Sequence, residues 1–522
     1  MMVRFTLLDT IVLVAYLAAL VGIGLLVSYR RRKEEDQFLA GRTFGWFNVG
    51  LSIFGTNIGP SFLIASASAA YATGMVTANF EWLAWLFLLL LAMVFAPHYL
   101  HMQLGTMPQF VRRRFGNGPA EFVSWYALLS TVILWLGGTS YAGGKLLSQI
   151  MDWPLWTSVV ALTALATFLT VVGGLAVVIV TDTFQSILML AGAGLLTLFG
   201  LRAAGGLGAV IENVEPDRWT LFRPASDPDY PWHAIVLGYP VLGIWFWCTD
   251  QTIVQRVLGA RDLRQGQQGA QFAAFLKILT PFFFMLPGFV CFVLYPDLDD
   301  PDKAFTTMIS RHLPFGMLGL MIAVLIAALI STVDSGLNSF STVFTLDIYQ
   351  RKWRPMATPR ELKVTGRVVT VAIAVCSVFI ALSMETVGKN LFDLMQSIIA
   401  YFAPPIAAVF LIGILWRRAT AKAALATLLG GSTLCLGIGL MDFMNLPGEG
   451  FWPHFLLTSF LLFAWLCLVM IGVSLLTQNA PEEETLPSFR ETYARQGRSP
   501  AQVWIGWAIL AAIMAAIYLV FN

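Results

Sequence analysis

The chain has 522 residues, 12% charged and 57% hydrophobic, with a formal net charge of +2 and a mean hydropathy of +0.74. A soluble domain carries about 25% charge. An ordinary soluble enzyme, a disordered chain and a nucleic-acid binder with a basic face are therefore excluded.

The composition reads as an all-α polytopic membrane protein. A hydrocarbon core of about 30 Å takes about 20 apolar residues per helix. Fourteen spans are expected, at 6–28, 45–72, 77–104, 121–149, 154–173, 176–201, 232–256, 269–295, 313–348, 364–384, 390–415, 420–441, 452–477 and 503–521. The first stretch, Leu7 to Ser28, is too long for a signal peptide and lacks a cleavage site followed by soluble sequence, so it is kept as a helix.

Loops after odd-numbered spans collect 23 of the 32 Lys and Arg, Arg256 among them; the opposite side holds eight. Basic residues stay cytoplasmic. Both termini and the acidic loop Asp297–Asp302 are thus expected outside, and 478–500 reads as a solvated cytoplasmic linker. The lack of an N-x-S/T sequon favours a bacterial source, hence a bacterial inner membrane. The five cysteines are odd in number and show no CxxC spacing, so neither a disulfide framework nor a metal site is expected. Five histidines occur without an HExxH, GxSxG or P-loop motif, and no enzyme activity is expected; His98 and His101 read as interfacial.

Ionisable groups inside a span cost about 2.5–3.5 kcal/mol each on insertion scales and mark substrate or ion paths. The expected spans contain Glu81, Asp182, Asp250, Lys277, Asp334 and Asp393. Asp250 and Asp393 lie near helix ends and read as structural. Glu81, Lys277 and the pair Asp182 and Asp334 read as functional.

Two spans look broken. Gly55-Thr-Asn-Ile-Gly-Pro60 interrupts the second, and Pro240-Val-Leu-Gly-Ile244 the seventh. Unwound backbone at membrane depth is tolerated where it lines a cavity, and its carbonyls can bind Na⁺. The two breaks open two five-helix blocks of opposite orientation, which predicts an inverted five-plus-five repeat. The expected organisation is a peripheral helix and loop (1–44), a first repeat (45–201), an extracellular loop (202–231), a second repeat (232–415) and peripheral helices (416–522). In the ninth span, Ser331, Thr332 and Ser335 lie within about 1.2 turns. Such hydroxyls either bond back to i−4 carbonyls or, joined by carbonyls of Gly55 and Ile58, hold a sodium ion.

Several motifs carry a resemblance. They are Trp245-Phe-Trp-Cys-Thr-Asp-Gln-Thr-Ile-Val-Gln-Arg256, Ala327 through Tyr349, Gly173-Gly-Leu with Thr181-Asp-Thr-Phe-Gln185, and Leu391-Phe-Asp-Leu-Met-Gln-Ser397 with Ala403-Pro-Pro-Ile-Ala-Ala408. Over about three quarters of the chain it resembles the sodium/solute symporter family, in its sodium/glucose cotransporter branch. The resemblance implies a LeuT-like core, alternating access, and Na⁺ as coupling ion with no organic cofactor. It implies a main Na⁺ site at Gly55, Ile58, Ala328, Ser331 and Thr332, with Thr332 in place of the usual serine. It implies a second Na⁺ at Asp182, Asp334 and Ser335, Asp334 being a departure from the sugar transporters. The alternative for Asp334 is pairing with Thr181 or Thr183.

Sugar-contacting positions fall on Asn57, Glu81, Lys277 and Gln396. Phe62, Gly243 and the gate residue Phe246 depart from the branch's pattern towards an apolar pocket. Glu81 and Lys277 also have the option of neutralising each other, which suits an uncharged solute. A simple carboxylate would want an unpaired Arg, and no expected core span holds one in its interior. The expected function is Na⁺-coupled uptake of a sugar or polyol. The alternatives are myo-inositol, sialic acid, an amino acid or another carboxylate, and, of a different class, a solute-gated channel or sensor. The expected partners are the small-molecule solute, Na⁺ and membrane lipid, with no nucleic acid.

Overall fold

The computed structural model describes residues 6–31, 38–314, 316–384, 391–448, 450–478 and 501–522, with the backbone alone at 61, 149 and 391–395. Residues 479–500 of the expected linker and the Asp393 side chain lie outside this description.

Helix starts are set locally. Thr6 and Asp9 form a capping box. Asp262 accepts from Gln265 N at 2.9 Å, and Thr358 and Thr420 cap the helices that follow them. Among the described residues, twelve helices are long and apolar enough to cross a membrane. Two breaks bring the crossings to the expected fourteen. Trp46–Asn57 and the helix after it form one further span bent by 63°. Leu155–Ala203 is 49 residues long, about 73 Å at 1.5 Å per residue, more than twice the hydrocarbon thickness. It breaks at Gly174 (φ 58°, ψ −152°), backbone that a side chain would strain. Leu169 and Val177, on either side of the break, both lie within 4 Å of where a Cβ on Gly24 would stand. The chain doubles back there into two crossings.

Met317–Val343 is the centre of the bundle. The most apolar stretch of Met317–Trp353 is 89% buried, against 17% in Leu7–Arg30 and 22% in Ala501–Val520. It packs on Leu155–Ala203, Leu7–Arg30 and Trp46–Asn57.

The second span breaks where expected. Its helix ends at Asn57, Ile58 (ψ 82°) and Gly59 (ψ 170°) are extended, and Pro60 opens the next helix. The seventh span breaks later than expected. Trp232–Gly243 passes straight through Pro240, widens into a π-helix over Ile244–Thr249, and stops at Asp250 (ψ 130°). The wide turns are visible in Asp250 N bonding Trp245 O, five residues back, at 3.0 Å. Cap chemistry rather than proline makes this break: Asp250 accepts from Thr252 N at 2.8 Å and from the Thr252 hydroxyl, and so starts Gln251–Leu258. Its other oxygen takes the Trp135 indole N–H at 3.2 Å. His98 is buried, 1% exposed, with Nδ1 2.8 Å from the Val94 carbonyl.

Candidate transport site

The break at 55–58 meets the middle of Met317–Val343. Ser331 Oγ lies 3.0 Å from the Gly55 carbonyl oxygen and 3.1 Å from that of Ala328. Thr332 Oγ1 lies 3.0 Å from Ala328 O and 3.2 Å from Thr56 O. The last carbonyls of a helix have no intrahelical partner, so ending Trp46–Asn57 here frees them toward the two hydroxyls. All five groups are neutral hard oxygens, the donor set a hard cation takes, and the residues present therefore fit Na⁺. Two details differ from expectation. Thr56 contributes a carbonyl and was not singled out, although its place beside Gly55 was the available signal. The Ile58 carbonyl is turned out of the helix by its ψ of 82°, and no hydrogen bond among the described residues ties it to Met317–Val343.

Next to this set lies a fully buried charged cluster. Asp182 Oδ2 accepts from Ser52 Oγ at 2.6 Å and stands 3.6 Å from Arg256 Nη2. Arg256 also donates to Ser335 Oγ and, at 2.5 Å, to the Thr252 carbonyl. Asp334 Oδ1 is 3.4 Å from Ser335 Oγ. Asp182 Oδ1 and Asp334 Oδ2 have no hydrogen-bond partner among the described residues. Thr181 and Thr183 bond back to carbonyls of their own helix and do not serve Asp334. Thr56 joins the two sets, its hydroxyl lying 3.0 Å from Ser335 Oγ.

Arg256 was counted with the cytoplasmic loops, and its side chain is 0% exposed. The short helix Gln251–Leu258 turns it inward onto Asp182 and Ser335. The core thus does contain an Arg, paired to its own carboxylate rather than free for a substrate.

On the other side of the break is a cavity of about 140 Å³. Asn57, Phe62, Glu81, Gly243, Phe246 and Gln396 all line it, with Thr77, Tyr239 and Trp247 among residues not foreseen. Lys277 is not on its wall. The ammonium donates to Asn57 Oδ1 and Glu81 Oε2 and lies 5.2 Å from the Phe62 ring centroid. It holds two wall residues in place and cancels the Glu81 charge.

Gly243 brings no side chain, and Phe87 takes that space: a Cβ at 243 would stand 2.4 Å from the Phe87 ring. Phe246, on the cavity wall, packs between Trp135 (centroids 5.3 Å) and Trp247 (4.8 Å).

Long helices broken at mid-length, with oxygens gathered at one break beside a cavity, define a helical secondary transporter. The model of the Sodium:solute symporter family matches residues 37–431, and the chain belongs to that family. Sodium/myo-inositol cotransporter 2 of Rattus norvegicus is 33% identical over 91% of this chain and 78% of its own length. Sodium/glucose cotransporter 2 of the same species is 32% identical over 91% and 79%. Among solved structures, a Na⁺-coupled sialic acid symporter in a substrate-bound outward-open state aligns at TM-score 0.82 and 21% identity, over 92% of this chain and 100% of that one. Mhp1, a nucleobase-cation-symport-1 family transporter, aligns at 0.54 and 14%, over 90% and 98%. These two likenesses show a LeuT-like fold. The chain is an integral membrane protein and a Na⁺-coupled solute symporter, and its relatives are transporters rather than enzymes.

Proposed function

We propose that the protein carries a sugar or polyol into the cell with Na⁺ by alternating access. One observation carries this reading: the helix end at 55–57, where the second span breaks, serves both sites. Its carbonyls face Ser331 and Thr332, while Asn57 lines the cavity and bonds Lys277. An ion held by Gly55, Thr56, Ala328, Ser331 and Thr332, with Ile58 turned to join them, fixes the position of Asn57. Ion and solute then favour the same conformation, which is what coupling requires.

In the cavity, Asn57, Glu81 and Gln396 address hydroxyls, Lys277 acts through Asn57 and Glu81, and Phe62 and Phe246 face the ring. Neutralisation of Glu81 by Lys277 favours an uncharged solute. The relatives named for glucose and myo-inositol support the same class. A second Na⁺ is assigned to Asp182, Asp334 and Ser335. The repeats are assigned to 45–201 and 232–415, and both termini to the outer face of a bacterial inner membrane.

The test is uptake by proteoliposomes across a panel of sugars, polyols, amino acids and carboxylates, with and without a Na⁺ gradient. Saturable, Na⁺-dependent uptake of a sugar or polyol is expected. Equal uptake in choline and Na⁺ buffers, or uptake confined to carboxylates, would overturn the proposal.

A further inference from the structure

The turn that carries Glu81 lies outside the regular part of its span. Met75–Ala78 is a 3-10 helix, Asn79–Trp82 a single α turn, and α-helix resumes at Ala84. Hydrogen bonds of the 3-10 type have poorer geometry than α-helical ones, so this entry to the span depends on partners from other segments. All four residues of Asn79–Trp82 are buried.

Each neighbour of Glu81 in that turn has such a partner. The Asn79 amide donates to the Leu221 carbonyl at 2.7 Å and to the Val76 carbonyl at 2.9 Å, and its oxygen accepts from the Tyr518 hydroxyl at 2.7 Å. The Phe80 carbonyl accepts from the Tyr239 hydroxyl at 2.5 Å. The Trp82 indole N–H donates to the Ile278 carbonyl at 2.9 Å. Its ring packs on Phe282 (centroids 5.8 Å) and Phe521 (5.6 Å), and the Phe521 carbonyl in turn accepts from Leu221 N at 3.0 Å.

The Trp82 bond is set apart by where it lands. Trp82 follows Glu81 in the chain, and Ile278 follows Lys277 in Leu263–Phe284. One neutral bond thus joins the same two segments as the ion pair, a residue further along on each. Leu263–Phe284 is weakened at that turn, because Pro281 has no N–H for the carbonyl of Lys277 four residues back. The ion pair does not orient itself either. A lysine ammonium is a point charge on a flexible stem, which attracts a carboxylate without setting its direction. None of Trp82, Ile278, Asn79 and Tyr518 lines the cavity.

We propose that Trp82 is a positioning residue of the solute site: its indole N–H, bonded to Ile278, sets the register of Glu81 against Lys277 and so aims the Glu81 carboxylate at the cavity. Tyr518, on the peripheral helix Ala501–Val520, acts in the same sense through Asn79. This rests on the reading of the cavity as a sugar or polyol site and deepens it.

The experiment is Na⁺-driven uptake of labelled glucose, galactose and myo-inositol, each assayed separately, in proteoliposomes. Trp82→Phe keeps an aromatic ring against Phe282 and Phe521 and deletes the N–H. A KM higher by about three- to tenfold is expected for the solute taken up, the scale of one lost hydrogen bond, with Vmax per folded molecule nearly unchanged. A purely structural role would lower Vmax and leave KM in place. A KM rise below about twofold, or a fall in Vmax larger than the rise in KM, would overturn the assignment to Trp82. Should Trp82→Phe fail to fold, Tyr518→Phe carries the test, since it removes one hydroxyl from a peripheral helix. A KM rise of about two- to threefold is then expected, and an unchanged KM would overturn the proposal. Na⁺-dependent uptake of none of the three solutes by the wild-type protein would overturn the sugar-or-polyol reading itself, and this inference with it.

Discussion

Arg256 Nη2 lies 3.6 Å from Asp182 Oδ2, with both side chains fully buried and 74 positions apart in the chain. The ammonium of Lys277 makes the equivalent contact with Glu81 beside the solute cavity. Each ionic pair flanks the break at 55–58, one on the ion side and one on the solute side. Breaking a buried pair by removing one partner strands the other charge, at a cost of about 3–5 kcal/mol. Arg256→Gln is therefore expected to lower the unfolding temperature in detergent substantially. The double variant with Asp182→Asn should recover part of the loss, because the pair acts as a unit. Purely additive losses in the double variant would show that the two groups do not stabilise each other.

Ser331→Ala removes one of the five oxygens that converge at the break. A higher apparent Na⁺ requirement is expected, with solute affinity falling alongside it through the coupling between the sites. Na⁺ titration of uptake at fixed solute reads this directly. An unchanged titration curve would place the ion elsewhere.

Glu81→Ala leaves the Lys277 ammonium without its carboxylate, and Gln396→Ala removes a wall amide. An unsatisfied buried polar group costs about 1–3 kcal/mol, so each variant should weaken solute binding roughly five- to 150-fold. Glu81→Ala is expected to sit at the upper end, because it alone strands a charge. Equilibrium binding of the solute to purified protein measures both, and wild-type affinity in the two variants would refute this pocket.

Gly243→Ala places a methyl group 2.4 Å from the Phe87 ring. Overpacking of this kind costs about 1–3 kcal/mol. Reduced stability and reduced uptake are expected, with rescue by Phe87→Leu in the same chain. Failure of the rescue would mean that Phe87 is not what occupies the space.

Charge movement reports on Asp334. One charge crossing 100 mV supplies about 2.3 kcal/mol, and a tenfold Na⁺ gradient adds about 1.4 kcal/mol. One ion thus supports an accumulation of several hundred-fold, and two support roughly 10⁵-fold. Asp182 and Asp334 carry two carboxylates against the one guanidinium of Arg256, and each has an oxygen without a partner among the described residues. Like charges at one site are disfavoured unless a cation offsets them. A flux ratio of two Na⁺ per solute from reversal potentials is expected, falling to one in Asp334→Ala. A ratio of one in wild type, unchanged in the variant, would exclude Asp334 from a transported-ion site.

Hydropathy determined much of this protein without any tertiary information. Whether a stretch crosses a membrane depends on its own apolar length, so fourteen crossings were legible, as was the break at Gly55–Pro60, where glycine and proline act on their own backbone. The hydroxyl run at Ser331, Thr332 and Ser335 was legible because helical spacing alone puts it on one side of a turn. Of the sixteen described residues that line the cavity, six (Asn57, Phe62, Glu81, Gly243, Phe246 and Gln396) were singled out from the resemblance.

What the tertiary structure decided were partners. Lys277 reaches Asn57 and Glu81 across 220 and 196 positions, and that contact takes it off the cavity wall. Arg256 sits at the end of an apolar stretch, where composition assigns it to solvent; only the inward turn of the short helix after Asp250 buries it. The break of the seventh span moved from Pro240 to Asp250 because the α-helix passed the proline without a stop and, after the widened turns of Ile244–Thr249, an aspartate cap claimed the backbone. Phe87 filling the space at Gly243 leaves no sequence signal, since a missing side chain does not announce which neighbour will occupy its volume. Backbone conformation and hydropathy belong to a residue and its near neighbours, whereas pairing and packing belong to segments that meet only after folding.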